Sequence, residues 1–422
     1  MYLNYFIFEK EVSVRKVLGW FVAVTFAFVL TACPQLSLPP SKTPLAYRIV
    51  AEGLSIGSGS YFSTGDLLIA QSLSGNLLAF DPRTKSIVPY DTPVPEQTEP
   101  VVEFREDQLE LYLWPVHLSP DPPPSGPLYV AVLDAGTGSL LRKEPLTVSA
   151  EILDVWNPYA VARKGDRVYL GAARGQIVVL QEASEGLSHA STLTIEEVYE
   201  ISGFTEDPYG FAVLKIVPDP GGDDLFVLVE SRPDFAGMHH VFRLAADGTT
   251  LWSAADYGSP QDIVLVGDRL LYFKPTGAVV LDAGSGTELE HVNISIGECS
   301  ADSRILHRVA YASEDHLIYA PHGVLETQPA YRWRWTVTDL LSLPVTKCGF
   351  RPAVLGGVAY YGSNWALLAV DVESGDPLSL ARRSSYSEIQ LNAPAFAVGG
   401  FIVVPQQDDW RMLFAVYRPV EE

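Results

Sequence analysis

The sequence predicts an all-β fold, a β-propeller of four-stranded antiparallel blades, and three observations carry this prediction. Short apolar runs alternate with Gly, Asp and Pro turns, the pattern recurs about every 48 residues, and several middle runs are apolar on successive residues. A strand with one wet face should alternate, so these runs indicate small sheets that are covered on both faces. Repeated units of this kind stack around an axis, where each blade buries its faces against two neighbours.

The clearest unit covers residues 263–290. Gly267 and Asp268 form one tight turn, residues 275–277 form a second, and residues 282–286 close a third. Turns of this composition between runs rich in Val, Leu and aromatic residues are typical of hairpins. The unit therefore predicts three strands joined by two hairpins, with a fourth strand that begins at Thr287.

The same unit recurs along the chain with Asp282 as its marker position. The predicted markers are Asp81, Asp134, Gln181, Ala245, Asp282, Asp339, Asp371 and Tyr417. Eight markers predict eight blades, and seven is the alternative because the spacing is uneven. The poorest matches are residues 101–146 and 300–346.

The two ends of the predicted propeller, residues 45–422, complete one blade together. Residues 395–418 supply about three strands, and residues 47–51 can supply the fourth. This pairing would remove an exposed sheet edge. Only residues 192–201 offer a short helix, so the segments that a parallel α/β fold requires are absent.

The sequence of the N-terminal segment predicts that the protein is exported from the cytoplasm. Residues 17–30 are apolar and follow Arg15 and Lys16, and a run of this length is too short for a membrane span but fits a signal peptide, residues 1–32. The run ends in Leu30, Thr31, Ala32 and Cys33, which resembles a bacterial lipobox. The resemblance implies signal-peptidase cleavage before Cys33 and lipidation of its sulfur. The alternative is a plain secretory signal with a chance cysteine.

Residues 33–44 predict a proline-rich, extended tether between lipid and propeller. The acyl chains on Cys33 would hold the protein on a membrane without a spanning helix. The expected location is extracytoplasmic, on a bacterial outer membrane or on the outer face of the cytoplasmic membrane.

The net charge limits the classes of partner that the protein can bind, and the cysteine content allows one disulfide. The formal net charge of −22 predicts repulsion from nucleic acid and from anionic lipid head groups, and it leaves a basic partner or simple solubility as explanations. Cys299 and Cys348 would be the only cysteines beside the lipidated one. Either they form a disulfide, as export would permit, or they are two buried free thiols.

Four segments resemble the pyrroloquinoline-quinone-like (PQQ-like) β-propeller repeat, in which an Asp-x-x-Thr/Ser-Gly turn precedes a Trp. They are residues 77–84, 129–141, 278–289 and 367–378. The closing Trp is recognisable only at Trp252. Together with the lipobox, the repeat is similar to BamB-like lipoproteins of outer-membrane barrel assembly, and the resemblance implies other envelope proteins as partners. No contact residue of that family matches a motif in this chain.

The sequence predicts no catalytic residue, no metal site and no cofactor. Quinone-dependent dehydrogenases share the repeat, but the adjacent cysteine pair of that family is missing. Residues 219–224 are rich in Asp but lack the spacing of a calcium loop, so a solvated turn is the favoured interpretation. His239 and His240 are adjacent, and in a strand they would point to opposite faces.

An alternating segment, residues 331–335, is the one candidate contact surface. Tyr331, Trp333 and Trp335 would share one face of a strand, with Arg332 and Arg334 on the other. Packing between blades is the favoured interpretation, and a partner contact is the alternative, because Trp, Tyr and Arg dominate interface energetics.

These features predict a non-catalytic scaffold tethered to a membrane by lipid, which presents the propeller's loop face to other envelope proteins. The alternative is a small-molecule or glycan site, or a quinoprotein-like enzyme, in the central channel. Fold alone does not decide between them.

Overall fold

The computed structural model divides the chain into two units, residues 1–40 and residues 41–422, and describes only parts of the second. Cys33, Cys299 and Cys348 lie outside the described residues, as does the tether, so lipidation and the disulfide stay predictions. The described residues are 45–51, 60–71, 77–90, 100–105, 107–113, 128–146, 160–172, 175–184, 186–198, 211–231, 239–256, 262–274, 276–294, 311–312, 316–320, 323–336, 352–362, 366–382, 395–408 and 411–420.

The described part of the chain forms eight four-stranded antiparallel sheets, arranged as an eight-bladed β-propeller. Blade 1 contains β2 (Ser60–Ser63), β3 (Leu68–Gln71), β4 (Leu77–Asp81) and β5 (Ser86–Pro89). Blade 2 contains β6 (Pro100–Arg105), β7 (Gln108–Leu113), β8 (Leu128–Asp134) and β9 (Leu140–Leu146). Blade 3 contains β10 (Ala160–Lys164), β11 (Arg167–Gly171), β12 (Gln176–Ala183) and β13 (Gly186–Thr194). Blade 4 contains β14 (Phe211–Pro218), β15 (Leu225–Ser231), β16 (His239–Leu244) and β17 (Thr250–Asp256).

The second half repeats the arrangement. Blade 5 contains β18 (Asp262–Val266), β19 (Arg269–Lys274), β20 (Gly277–Asp282) and β21 (Glu288–Asn293). Blade 6 contains β22 (Tyr311–Ala312), β23 (Leu317–Ala320), β24 (Gly323–Glu326) and β25 (Arg332–Thr336). Blade 7 contains β26 (Ala353–Leu355), β27 (Val358–Gly362), β28 (Ala366–Asp371) and β29 (Pro377–Arg382). Blade 8 contains β30 (Phe396–Val398), β31 (Phe401–Asp408), β32 (Arg411–Tyr417) and β1 (Leu45–Ala51).

The predicted blade count of eight is confirmed, and one marker is wrong. Seven of the eight predicted markers lie at or just beside the end of a blade's third strand, but Asp339 falls outside the described residues. In blade 6 the third strand ends at Glu326, which therefore holds the marker position. The predicted helix at residues 192–201 is also wrong at its start, because Thr192 to Thr194 belong to β13.

Ring closure follows the prediction. Blade 8 has the strand order β1-β32-β31-β30, and β1 pairs antiparallel with β32, with Arg48 opposite Ala415. The first residue of β1, Leu45, lies opposite Tyr417. The N-terminal strand is therefore the outermost strand of the blade that the C-terminal strands begin.

The core consists of eight clusters of buried hydrophobic residues, one for each interface between neighbouring blades. At the interface of blades 8 and 1, the rings of Phe80 and Phe414 stack with centroids 4.8 Å apart. The middle strands are buried along successive residues, as in Leu77 to Phe80. Both faces of these strands are dry, which is why their sequences do not alternate. The described residues include no helix that is long and apolar enough to cross a bilayer.

Candidate functional site

Strand order defines two ends of the propeller and a central channel. At one end, which we call the turn end, the first strand of each blade turns into the second and the third into the fourth. The opposite end, which we call the loop end, carries the other connections, most of which lie outside the described residues. The first strands of adjacent blades, such as β10 and β14, neighbour one another and surround the channel.

Few charged residues lie on the described innermost strands. They are Glu103, Arg105, Arg163, Lys164, Lys215 and Asp262. The last four are bound across blade interfaces. Lys215 Nζ donates a hydrogen bond to Asp262 Oδ1, so that an ion pair joins blade 4 to blade 5, and the Asp262 side chain is completely buried. Asp262 Oδ1 also accepts a hydrogen bond of 2.8 Å from the backbone N–H of Ile263.

A second charged network joins blades 2 and 3. Arg163 donates from one guanidinium nitrogen to Glu182 at 2.7 Å and from the other to Glu110, which is only 3% exposed. The Tyr112 hydroxyl donates to the same Glu110 carboxylate at 2.7 Å. Breaking a buried pair of this kind leaves an uncompensated charge, so these groups act structurally.

Oxygen atoms of the Asp-rich hairpin at residues 219–224 accept hydrogen bonds from the side chains of Lys164 and Arg243. Lys164 Nζ donates to the carbonyl oxygens of Asp219 and Gly222, which ties blade 3 to blade 4. Arg243 donates to Asp224 Oδ2 at 2.7 Å, and it also reaches the Ala283 carbonyl of blade 5 at 2.8 Å. Within the described residues, no group of three or more His, Cys, Asp or Glu side chains is placed to hold a metal ion. Oxygens that a calcium ion would need are thus engaged by Lys164 and Arg243.

The repeated Asp turn is explained by its hydrogen bonds. Asp282 Oδ1 accepts from the Ser285 N–H at 2.9 Å and from the Ser285 hydroxyl at 3.0 Å. Asp134 Oδ1 accepts in the same way from Thr137 at 2.6 and 2.7 Å. This geometry requires three residues: an Asp whose short side chain closes the turn, a Ser or Thr three residues later, and a Gly directly after it. At that glycine position Gly286 has φ +70°, a conformation that L residues rarely adopt.

These turn hydrogen bonds favour the ionised carboxylates. The Ser285 backbone N–H, followed by the Ser285 hydroxyl, lowers the pKa of Asp282 below its ordinary value of 3.8. In the described residues, every carboxyl group whose pKa clearly departs from its ordinary value has a lowered pKa. Hydrogen bonds from turn N–H or hydroxyl groups lower the pKa of Asp134, Asp247, Asp282 and Asp371, and at Asp81 those from Arg83 and Thr84 outweigh the opposing effect of burial. The pKa of Glu326 is lowered by hydrogen bonds from the Arg332 and Arg334 side chains. A general acid that is protonated near neutral pH requires the opposite shift.

The lowered pKa values predict that acid destabilises the propeller. A carboxyl with a depressed folded-state pKa contributes stability that is fully present above its unfolded-state pKa and is lost as pH falls through its folded-state pKa. We expect the melting temperature to fall as the pH drops below about 4. Asp282→Asn should reduce this dependence and modestly lower stability at pH 7, because the neutral amide still accepts the Ser285 hydrogen bonds but loses the charge that strengthens them and the ion pair with Arg269. Asp268→Asn, on the adjacent turn, is the matched control, and equal pH profiles for the two variants would contradict this assignment.

The aromatic segment at residues 331–335 packs between blades, and its predicted alternation is interrupted. A β-bulge in β25 places Trp333 opposite Leu325 and Trp335 opposite Val324, so that Arg334 is the extra residue. Trp333 Nε1 donates to the Val292 carbonyl of blade 5 at 3.0 Å. The Trp335 side chain lies on the opposite face of the sheet from Trp333, in the cluster between blades 6 and 7. The prediction that Tyr331, Trp333 and Trp335 share one face is therefore wrong for Trp335, and partner contact by this segment stays a prediction.

Sequence reasoning missed a repeated aromatic contact between blades. Four aromatic side chains donate a hydrogen bond to the backbone carbonyl that follows the marker of the next blade. Trp252 donates to Ala283 at 3.0 Å and Trp335 to Val372 at 3.2 Å. The other two are Tyr47, which donates to Pro82, and Tyr90, which donates to Ala135. Trp252 and Trp335 each pair with the residue two before their blade's marker, so Trp335 is a second closing Trp.

Comparison with known proteins identifies a fold. No family model matches the chain, and no curated protein matches its sequence. Among solved structures, a quinohemoprotein alcohol dehydrogenase from Pseudomonas putida HK5 is similar, with a TM-score of 0.54 and 12% identity over 90% of this chain and 76% of that one. The quinohemoprotein alcohol dehydrogenase of Comamonas testosteroni gives 0.52 and 11% over 90% and 78%. BamB from Moraxella catarrhalis gives 0.48 and 12% over 90% and 98%.

Identities this low carry no information about chemistry. The two dehydrogenases are similar to this chain in fold alone. The likeness therefore supports one conclusion, that the described parts of residues 45–420 share a β-propeller fold with the two quinohemoprotein dehydrogenases.

Proposed function

We propose that this chain is a non-catalytic protein-interaction scaffold, anchored by lipid in a bacterial cell envelope. One observation carries the proposal. The charged residues on the innermost strands β10, β14 and β18 are bound to neighbouring blades, where they hold the ring together. Groups that act on a substrate have to be available to it, whereas these are already bound within the protein.

The anchor rests on the lipobox at Leu30 to Cys33. We expect Cys33→Ala to yield an unprocessed chain, or a processed chain without the added mass of the acyl groups, because the Cys33 sulfur is the atom that receives the lipid. Intact-protein mass spectrometry of the membrane fraction checks this, with Cys299→Ala as the matched control. An acylated product of unchanged mass from the Cys33→Ala gene would contradict the lipid anchor.

Partners are proposed to bind mainly at the loop end. Several turns at the turn end are short and have a carboxylate that accepts hydrogen bonds from its own backbone, as at Asp134 and Asp282. The connections at the loop end are longer. In proteins with a rigid scaffold, binding residues usually lie on such surface loops. A role in outer-membrane protein assembly is the more specific form of the proposal, and its support is the combination of lipobox and PQQ-like repeat.

The second candidate is ligand chemistry in the channel, and the similarity to alcohol dehydrogenases favours testing it. Purified full-length protein in detergent is mixed with primary alcohols or aldose sugars, an artificial electron acceptor, pyrroloquinoline quinone and Ca²⁺. The scaffold proposal predicts no reduction of the acceptor above a boiled control. Turnover that Asp262→Asn or Glu103→Gln abolishes would overturn it.

A further inference from the structure

The outer edge of blade 3 differs from every other described blade edge. Its strand, β13, is nine residues long, the longest described strand, and its sequence GLSHASTLT contains no proline and no Asp, Glu, Lys or Arg. Each of the other seven outermost strands carries at least one such residue. Examples in chain order are Arg48, Pro89, Lys143, Asp256, Glu290, Arg334 and Pro377.

Prolines and charges on an edge strand prevent other chains from adding to the sheet. Seven outermost strands, β13 among them, also contain a β-bulge opposite the third strand, so the bulge at Ala190 does not distinguish this edge. Since seven edges are protected by composition and one is not, β13 is an edge at which strand addition is permitted.

The geometry beyond the bulge suits an added strand. The Ile195 N–H donates inward to the Gly175 carbonyl at 3.1 Å. Antiparallel strands alternate the direction of their backbone groups, so the N–H groups of Thr192 and Thr194 point outward. The exposed side chains of β13 are small, namely Ser188, Ala190 and Ser191. A second backbone can therefore approach without displacing a bulky side chain.

We propose that β13 binds an extended segment of another protein, which adds as a further antiparallel strand and carries Lys or Arg at its ends. This proposal rests on the scaffold function and names a surface and a partner chemistry for it. Strand addition takes its affinity from main-chain hydrogen bonds and its specificity from the side chains around them.

The charges around β13 select a basic partner. At its start the Glu144 carboxylate, which also forms an ion pair with Arg142 at 3.3 Å, lies against Gly186, where an added Cβ would come within 2.5 Å of Glu144 Oε2. At its end follow Glu196, which is exposed, and Glu197, which accepts a hydrogen bond from Thr250 at 2.7 Å. A second copy of this chain brings the same acidic groups and the same net charge of −22, so self-association is disfavoured.

The test uses full-length protein in detergent and two fluorescent nonapeptides with an alternating Thr-Val core, one with two Lys at each end and one with two Glu. By fluorescence anisotropy the Lys-ended peptide should bind about tenfold more tightly at low salt, and the difference should shrink at high salt. Amide hydrogen exchange should slow at Thr192 and Thr194 when this peptide is bound. Thr192→Pro, which removes an outward N–H, should abolish binding.

Ser253→Pro is the matched control, because Ser253 in β17 holds the register position of Thr192. If Thr192→Pro fails to fold, Ser188→Lys combined with Ser191→Lys should weaken binding of the Lys-ended peptide and not of the Glu-ended one. Equal binding of both peptides, protection elsewhere, or dimerisation through β13 would overturn the proposal. Envelope partners that bind the Thr192→Pro protein unchanged would leave the scaffold function standing and remove only this surface.

Discussion

Deletion of residues 45–51 is expected to lower the free energy of unfolding by several kcal/mol, more than any single substitution in the ring. The deletion removes β1, which pairs with β32 along its whole length and closes the ring. It also removes Tyr47, whose hydroxyl donates to the Pro82 carbonyl of blade 1. The deletion therefore exposes the backbone edge of β32 in blade 8 and removes a hydrogen bond between blades 8 and 1.

Chemical denaturation of the purified protein measures this effect. A deletion of equal length in the tether, residues 35–41, is the control, because it shortens the chain by as much without touching β1. Unfolding midpoints that agree for the deletion of residues 45–51 and the parent protein would contradict closure of the ring by the N-terminal strand.

Trp335→Ala is expected to cost about 3 to 5 kcal/mol, as does the loss of a buried aromatic side chain in general. Trp335 is 7% exposed and lies in the cluster between blades 6 and 7, where it meets Tyr361 edge-on with ring centroids 5.8 Å apart. Its ring covers Gly375, where an added Cβ would lie 2.7 Å from the indole. The Trp335 side chain therefore fastens blade 6 to the Asp371 turn of blade 7.

Two variants separate the contributions to this contact. Trp335→Phe keeps much of the packing but loses the hydrogen bond to Val372, so we expect a smaller loss than for Trp335→Ala, with about 1 kcal/mol attributable to the hydrogen bond. Gly375→Ala should destabilise even with Trp335 intact, because the residue has φ +77° and no room for a Cβ. A Trp335→Ala protein as stable as the parent would contradict the proposed docking of blade 6 on blade 7.

The blades were predictable because their information is local. The turn at Gly267 and Asp268 and the turn from Asp282 to Gly286 fix hairpins through backbone conformation and short hydrogen bonds, which neighbouring residues supply. Blade 6 was misplaced because its last turn is longer: Trp335 lies nine positions after Glu326, whereas Trp252 lies seven positions after Ala245. The longer turn concealed both the marker and the second closing Trp.

The charged contacts between blades were not predictable. Arg163 pairs with Glu110 across 53 residues, and Lys215 pairs with Asp262 across 47. Such partners meet only because the ring brings two blades together, and no spacing rule links them in sequence. The direction of Trp335 was missed for a different reason, because a bulge in β25 interrupts the alternation of its side chains.

Affinity capture of the lipidated, full-length protein from its own envelope, followed by quantitative mass spectrometry, tests the scaffold function most directly. An unrelated lipoprotein captured from the same envelope serves as the control bait. We predict that one or more envelope proteins are enriched in amounts comparable to the bait, and barrel-assembly proteins among them would support the more specific role. A bait that recovers no envelope protein above the control would contradict the scaffold function.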